Sequence, residues 1–371
     1  MKDWLADRLP DLSGWRDDAN DWVARKTFSS ADRLKLYEEL AFLLGNNQPL
    51  GAALEHMIST ARESGRKGRQ ETLWLKDILN GLNNGLSLDQ AMSGWVPGGE
   101  LAIIQSGLVD GSLPEALGRA CTVVRGVAEM KSSVYSVMAY PFIQLTVVVA
   151  LLLMIHDNFL PPLARMIPPE RWEGAMWWLG TCANTVAVHG VWLGALFALF
   201  CAWAVWSLPG VTGGPRRIMD RLIPWSMYRD FQGAIFLLNM AALLGGNVKV
   251  LSALNQLALH ASPWLQERLN AIRRRVSAGD HLGLALRNAG YGFPSEDAIN
   301  KLRLLTASKT SDNSSVVIER YAVEMLHATI ATMKTRLKRI SVLFFALIGV
   351  FMGLLLFVIQ DLNTLADQFG R

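Results

Sequence analysis

The sequence predicts an all-α integral membrane protein with two homologous cytoplasmic six-helix bundles and three transmembrane helices. Composition is the first indication: hydrophobic residues make up 51% of the 371-residue chain and charged residues only 18%, which departs from soluble proteins toward membrane proteins. The second indication is an internal repeat, because FLLGNNQPLGAAL (residues 42–54) recurs without a gap as ALLGGNVKVLSAL (residues 242–254). Apolar residues in the repeat recur at spacings of three and four, the period of an amphipathic helix.

Three apolar stretches without Asp, Glu, Lys or Arg are long enough to cross a membrane. They cover residues 134–155, 175–208 and 340–359. About 20 helical residues are enough to cross a hydrocarbon core of about 30 Å. We expect Pro141 to kink the first of these helices rather than end it. Gly349 and Gly353 in the third form GxxxG, which suits a helix–helix interface in an oligomer and is equally compatible with a lipid-facing position.

Basic residues predict the orientation of the spans. Lys and Arg accumulate on the cytoplasmic side of membrane proteins, and 33 of the 36 in this chain fall on one side of the predicted spans. The N-terminus is therefore expected inside and the C-terminus outside. The other predicted segments are an N-terminal amphipathic segment (1–29), repeat 1 (30–133), an outer loop (156–174), a basic linker (209–224), repeat 2 (225–339) and an outer tail (360–371).

The N-terminal amphipathic segment has three interpretations. Its Trp and Leu residues alternate with charged ones, which suits a segment that lies on the membrane or clasps a partner. An additional helix packed on the first bundle explains the pattern equally well. The segment has no continuous apolar core, so it is not expected to be a cleavable signal peptide.

Glycine and proline mark the predicted helix ends. Gly45 is expected to cap the first helix of repeat 1, and Gly245 takes the same place in repeat 2. Pro49 then opens the second helix. Gly85 ends the third helix and corresponds to Gly279 of repeat 2.

No motif in the sequence indicates enzymatic chemistry. There is no G-x-x-x-x-G-K-[ST] for nucleotide binding, and the Cys and His residues do not have the spacing of a metal site. We therefore predict no catalytic, cofactor-binding or metal-binding residues. A small-molecule permease or channel subunit is the alternative, although transporters usually place ionisable groups inside their spans, and the predicted spans contain no Asp, Glu, Lys or Arg.

Several short stretches resemble a known family. They are Leu43–Leu54, Leu243–Leu254, Gly85–Met92, Ser106–Leu113 and the pair Tyr140–Pro141. In their order of repeat, two spans, repeat and one span, they resemble the inner-membrane platform proteins of type IV pilus and type II secretion systems, the general secretion pathway F family. The resemblance covers about residues 30–360, and the divergence of the second copy suggests the type IVb or conjugative thin-pilus branch.

The resemblance implies a scaffold of the bacterial inner membrane, with a cytoplasmic N-terminus and a periplasmic C-terminus, that couples an ATPase to pilin extraction and pilus assembly. The implied partners are a cytoplasmic hexameric assembly ATPase, pilin or pseudopilin subunits, other inner-membrane assembly proteins and the lipid bilayer, without nucleic acid. A homodimer or small homo-oligomer is also implied. Relatives with a divalent-metal site carry Gly-Glu where this chain has Gly107-Leu108, so no metal is expected.

Two basic clusters are candidate contacts for the ATPase, because charged surfaces steer and orient a complex. The third helix of repeat 1 is expected over residues 72–82, which leaves the first cluster in a loop. Its members are Arg62, Arg66, Lys67 and Arg69. The second cluster consists of Arg273, Arg274 and Arg275. The alternative interpretations are an ordinary flexible loop for the first cluster and a solvated helix face for the second.

Overall fold

The structure is a computed structural model that describes residues 28–259, 261–307 and 314–369. Over these residues the regular elements are helices and no β-strand occurs, which confirms the predicted all-α class. The predicted N-terminal amphipathic segment lies outside the described residues, except for its last two. Of these, Phe28 is buried, with its ring centroid 5.1 Å from that of Trp74 and 5.8 Å from that of Trp95.

Repeat 1 has the six helices that the periodicity predicts. They are α1 (Ser30–Gly45), α2 (Leu50–Glu63), α3 (Gly65–Asn83), α4 (Leu88–Ala91), α5 (Gly98–Asp110) and α6 (Leu113–Met154). Helix α6 runs from the repeat into the first predicted span, and it stays helical through Pro141 as expected. Repeat and span are therefore joined by one continuous helix.

The helix that contains the first predicted span continues beyond the predicted end of that span. A π-helical turn (Ile155–Phe159) and helix α7 (Leu160–Met166) follow α6 directly. Much of the predicted outer loop, 156–174, is therefore helical. Pro161 and Pro162 permit this because they lie at the start of α7, where a helix has no partner for the missing N–H groups.

Helix α8 (Gly174–Gly210) forms the second span, and the short α9 (Gly213–Met219) follows it. Repeat 2 then contains α10 (Trp225–Gly245), α11 (Val250–Leu259), α12 (Pro263–Ser277), α13 (Leu282–Asn288), α14 (Glu296–Ala307) and α15 (Ser314–Phe369). Helix α15 carries the third apolar stretch, as α6 carries the first. Each repeat thus ends in a helix that continues into a span.

The chain divides into two compact units. The first combines the chain up to Glu129 with Pro209–His327, and it holds both repeats. The second combines Met130–Leu208 with the chain from Ala328 onward, and it holds the apolar helices. Among the residues that the structure describes, three helices are long and apolar enough to cross a membrane.

Both repeats end their first helix with the same backbone turn. Asn47 and Asn247 adopt left-handed conformations, with φ of 60° and 58°. In each repeat the N–H of the next residue donates to the carbonyl five positions back, at 3.2 Å and 3.1 Å, which is the Schellman arrangement. The prediction that Gly45 and Gly245 form these caps is wrong: they are the last helical residues, and asparagine takes the left-handed position because it tolerates that conformation.

A second shared turn confirms the register between the repeats. Gly85 and Gly279 follow the equivalent helices α3 and α12 with φ of 85° and 99°. Each is followed by a capped short helix: Ser87 caps α4, and His281 caps α13 by accepting from the N–H of Leu284 at its Nδ1, 3.3 Å away. The duplication is therefore preserved in backbone geometry as well as in sequence.

The membrane unit is held together by an apolar core and one buried amide. Gln144 of α6 donates from Nε2 to the carbonyl oxygen of Ser341 in α15, at 3.1 Å. The core combines residues of all three spans, among them Leu152, Leu179, Ala183 and Val358. Gly349 and Gly353 lie outside it, since a Cβ on either would meet nothing within 4 Å. Their role in an oligomer stays a prediction.

Candidate functional site

The two repeats pack against each other within the first unit. Helix α5 of repeat 1 lies against α10 and α11 of repeat 2. Gly99, at the start of α5, makes this close approach possible because a Cβ there would lie 2.6 Å from Oδ1 of Asn239. Asn239 is itself buried. The contact therefore depends on a residue without a side chain in one repeat and a buried amide in the other.

The equivalent helices α1 and α10 use the same face differently. On α10, Leu238 and Ala242 are only 4% and 8% exposed. At the same positions of α1 lie Glu38, which is exposed, and Phe42, which is 71% exposed. Repeat 2 thus buries a face that repeat 1 leaves open. Despite the duplicated sequence, the two repeats therefore have different exposed surfaces.

Gly246 shows the same asymmetry between the repeats. A Cβ on Gly246 would lie 2.7 Å from Nη2 of Arg119, a residue of α6. A side chain at this position would therefore displace the guanidinium. Repeat 1 carries Asn46 at the equivalent position, where it is exposed, so the sequence difference follows from the contact that only repeat 2 makes.

A buried ionic contact joins α1 and α5 in repeat 1. Oε2 of Glu100 accepts from Nε of Arg33 at 3.0 Å and from the hydroxyl of Tyr37 at 2.8 Å. All three side chains are buried. Burial, reinforced by the neighbouring carboxylate, raises the pKa of Tyr37 well above its usual value, so the phenol stays neutral and donates its proton to the hydrogen bond.

A second buried ionic cluster joins the linker to repeat 2. Asp220, just after α9, accepts from Nε of Arg216 at 2.9 Å and from Nη2 of Arg268 in α12. The two arginines are 0% and 1% exposed, and the Arg268 guanidinium lies 3.8 Å from the ring centroid of Trp264. Burial lowers the pKa of Arg268, and the charge of Asp220 opposes that effect. The cluster fixes the linker on repeat 2, and we call it the linker cluster.

The structure changes the setting of the first basic cluster. Helix α2 ends at Glu63 and α3 begins at Gly65, so the predicted loop is a tight turn in which Gly65 has a φ of 68°. Arg62 lies in the last turn of α2, and Arg66, Lys67 and Arg69 lie at the start of α3. The first turn of α3 contains no acidic residue. The N-terminus of a helix carries partial positive charge, so the helix adds to the potential of this cluster instead of offsetting it.

The second basic cluster lies at the opposite end of the equivalent helix. Arg274 and Arg275 are exposed in the last turn of α12, and Arg273 is half-buried, with Nη1 donating to Oδ1 of Asn255 at 3.3 Å. Basic residues stabilise a helix C-terminus through the dipole. Helix stability alone accounts for this cluster. The role of either cluster in partner binding stays a prediction.

Metal-ligand side chains are scattered in the part of the chain that the structure describes. No group of three or more His, Cys, Asp or Glu residues there is arranged to hold a metal ion. Leu108, at which the family resemblance predicts no metal ligand, lies in α5 and is half-buried.

A duplicated helical module, with each copy continuing into an apolar helix, defines a multi-pass membrane protein with an internal repeat. The family model of Type II secretion system (T2SS), protein F matches residues 36–156 and 236–359, more than half of the chain. The protein therefore belongs to the type II secretion system protein F family. The two matches begin at equivalent positions of the repeat, residue 36 in α1 and residue 236 in α10, and each runs into the following span. The resemblance seen in the sequence is therefore confirmed for both repeats. A search of curated proteins found no match to the chain.

Proposed function

We propose that this protein is an inner-membrane platform of a type IV pilus or type II secretion assembly machine, where it couples a cytoplasmic hexameric ATPase to pilin extraction and pilus assembly. One observation carries the proposal: each repeat continues into a span through a single helix. Helix α6 has 42 residues, about 63 Å at 1.5 Å per residue. Because its backbone hydrogen bonds lie within the helix, it suits the transmission of movement from a bundle to a membrane segment.

The proposed orientation places both repeats in the cytoplasm and the C-terminus in the periplasm. Basic residues support it because they gather on the repeat side of each apolar helix. Those beside the spans on that side are Arg119, Arg125, Lys131, Arg216, Arg217, Arg221, Lys334, Arg336, Lys338 and Arg339. The connection between the first two spans carries only Arg165 and Arg171.

For the ATPase contact we favour the first basic cluster. Three of its basic residues belong to the start of α3, where the helix dipole is positive, and positive potential attracts an acidic partner. The second cluster is the alternative contact, with a weaker argument because the C-terminus of α12 already explains its charges. Pilin or pseudopilin subunits, other inner-membrane assembly proteins and a second copy of the chain complete the proposed partners.

Deletion of the gene in its own host tests this function. The proposal predicts that pilin subunits stay in the inner membrane, that no fibres or secreted substrates appear, and that the wild-type chain restores assembly. Normal assembly in the deletion strain would contradict it. A change in the uptake of a small molecule, with assembly intact, would favour the permease alternative.

A further inference from the structure

In the linker between the second span and repeat 2, charged side chains are buried and apolar side chains are exposed, which is the reverse of a segment in water. Arg216 and Asp220 are 0% and 5% exposed. Ile218, Leu222 and Ile223, by contrast, are 70%, 55% and 48% exposed. Charged groups are rarely buried and large apolar groups rarely lie together on a water-facing surface. The exposed side of this linker is therefore suited to an apolar surrounding.

The linker cluster makes this arrangement part of the fold. Asp220 is bound by two guanidinium groups, one from the linker itself and one from Arg268 of repeat 2. Turning the linker to bury Ile218 would break these contacts and leave buried charges without their partners, which is strongly unfavourable. The apolar side chains are thus held outward.

The covalent chain indicates what covers the exposed apolar side chains of the linker. The second span ends with α8 at Gly210, and Ile218 lies eight residues further on, with α9 occupying most of that distance. Eight residues reach at most about 28 Å when fully extended, and helical residues advance only about 1.5 Å each. Ile218 is therefore confined to the vicinity of a membrane surface.

The charges beside the apolar residues suit the same surface. Arg217 and Arg221 are exposed and flank Ile218 and Leu222, and Arg217 also lies over the ring of Tyr291 at 4.9 Å. Basic residues near a bilayer are attracted to anionic headgroups. Exposed apolar residues with flanking basic ones are typical of segments that lie in the interface of a membrane.

We propose that Ile218, Leu222 and Ile223 insert into the headgroup region of an anionic lipid bilayer, with Arg217 and Arg221 at its phosphates. The linker cluster then fastens repeat 2 to that surface. This membrane-docking role goes beyond the platform function and does not depend on which ATPase or pilin the protein serves.

Depth-dependent quenching tests the proposal on the full chain. Cys121, Cys182 and Cys201 are replaced by alanine, and Ile218→Cys or Leu222→Cys is labelled with a nitrobenzoxadiazole maleimide. The protein is reconstituted into vesicles of equal parts phosphatidylcholine and phosphatidylglycerol, with or without lipid that carries a doxyl group near the headgroup. Val109→Cys is the control, because Val109 is 79% exposed and lies 30 residues ahead of the first apolar span.

The proposal predicts that the doxyl lipid lowers the fluorescence at both linker positions by more than about twofold and that aqueous iodide has little effect there. Iodide should quench the Val109 control, and the doxyl lipid should not. Iodide quenching of the linker labels equal to that of the control would overturn the proposal. Shielding from both quenchers would also overturn it, because a protein surface would then cover the linker. Both linker side chains are exposed, so neither substitution removes a core contact.

Discussion

The linker cluster makes a quantitative prediction for the change Asp220→Asn. The substitution keeps the size of the side chain but removes the charge that binds the buried guanidinium groups of Arg216 and Arg268. Glu267, 4.0 Å from Arg268 and partly exposed, is a distant substitute. Loss of one partner of a buried ion pair costs about 3–5 kcal/mol. For a unit of this size, about 2–4 °C are lost per kcal/mol, so the melting temperature should fall by about 6–20 °C.

Thermal unfolding in mild detergent, followed by tryptophan fluorescence, measures this change. Trp264 lies against Arg268 and reports on the region itself. The matched control is Glu324→Gln, which removes an exposed ion pair with Lys301 at 3.2 Å and should cost no more than about 1 kcal/mol. If Asp220→Asn shifts the melting temperature no more than the control does, the linker cluster does not hold the linker in place.

Three further predictions test the packing of the repeats. Tyr37→Phe removes a buried hydrogen bond to Glu100 and should cost about 1.5–3 kcal/mol. Because the pKa of Tyr37 is raised in the folded protein, the stabilisation by this tyrosine is present below about pH 10 and is lost above it. The melting temperature of the variant should therefore fall less than that of the wild type as the pH rises above about 10. Gly107→Ala places a Cβ 2.3 Å from that of Ala116 and should cost about 1–3 kcal/mol. Gly118→Ala in α6 is the control, because a Cβ there meets nothing within 4 Å, and it should stabilise the protein by up to about 1 kcal/mol. Equal effects of the two substitutions on the melting temperature would refute the close packing at Gly107. Burial raises the pKa of Cys121 to about 11, so at pH 8 its thiolate is about 100-fold scarcer than that of an ordinary cysteine. In a variant without the other two cysteines, a maleimide should therefore react with Cys121 about 100-fold more slowly than with a free thiol. A rate like that of a free thiol would contradict the burial of Cys121.

The repeat could be predicted from the sequence because local rules fix its elements. Helical periodicity and the turn glycines Gly85 and Gly279 act over a few residues, and the structure has helices and turns where they indicate. The left-handed cap residue is Asn47, two residues after the predicted Gly45. Both glycine and asparagine adopt left-handed conformations, and they lie close together in this part of the sequence. Local signals therefore predict the element and leave its last residue open.

The tight turn between α2 and α3 could not be predicted for a different reason. The charged, glycine-containing run Arg62–Arg69 has the composition of a loop, but Gly68 is buried against α2, where a Cβ would lie 1.6 Å from the carbonyl oxygen of Ala61. The glycines there permit a tight helix–helix contact. Composition alone does not distinguish that use of glycine from flexibility.

The buried ionic contacts could not be predicted because their members are far apart in the sequence. Arg33 and Glu100 are 67 residues apart, and Asp220 and Arg268 are 48 apart. Each lies in a segment whose other charged residues are exposed or partly exposed. The asymmetric contact between the repeats likewise depends on tertiary packing. In the sequence it is marked only by differences between the two copies, such as Glu38 against Leu238 and Asn46 against Gly246.

Co-purification of the assembly ATPase from mild detergent, with three forms of the protein, tests the platform function. They are the wild type, a variant with Arg62, Arg66, Lys67 and Arg69 all changed to Glu, and a variant with Arg274 and Arg275 changed to Glu. Glutamate at positions 66, 67 and 69 is favoured by the dipole of α3 and offsets the unfavourable change of Arg62 at the end of α2. The first variant is therefore expected to keep its fold. The account predicts that the wild type and the Arg274/Arg275 variant retain the ATPase and that the first variant loses it. Absence of the ATPase from the folded wild type would contradict the platform function, and its retention by the first variant would contradict the docking surface.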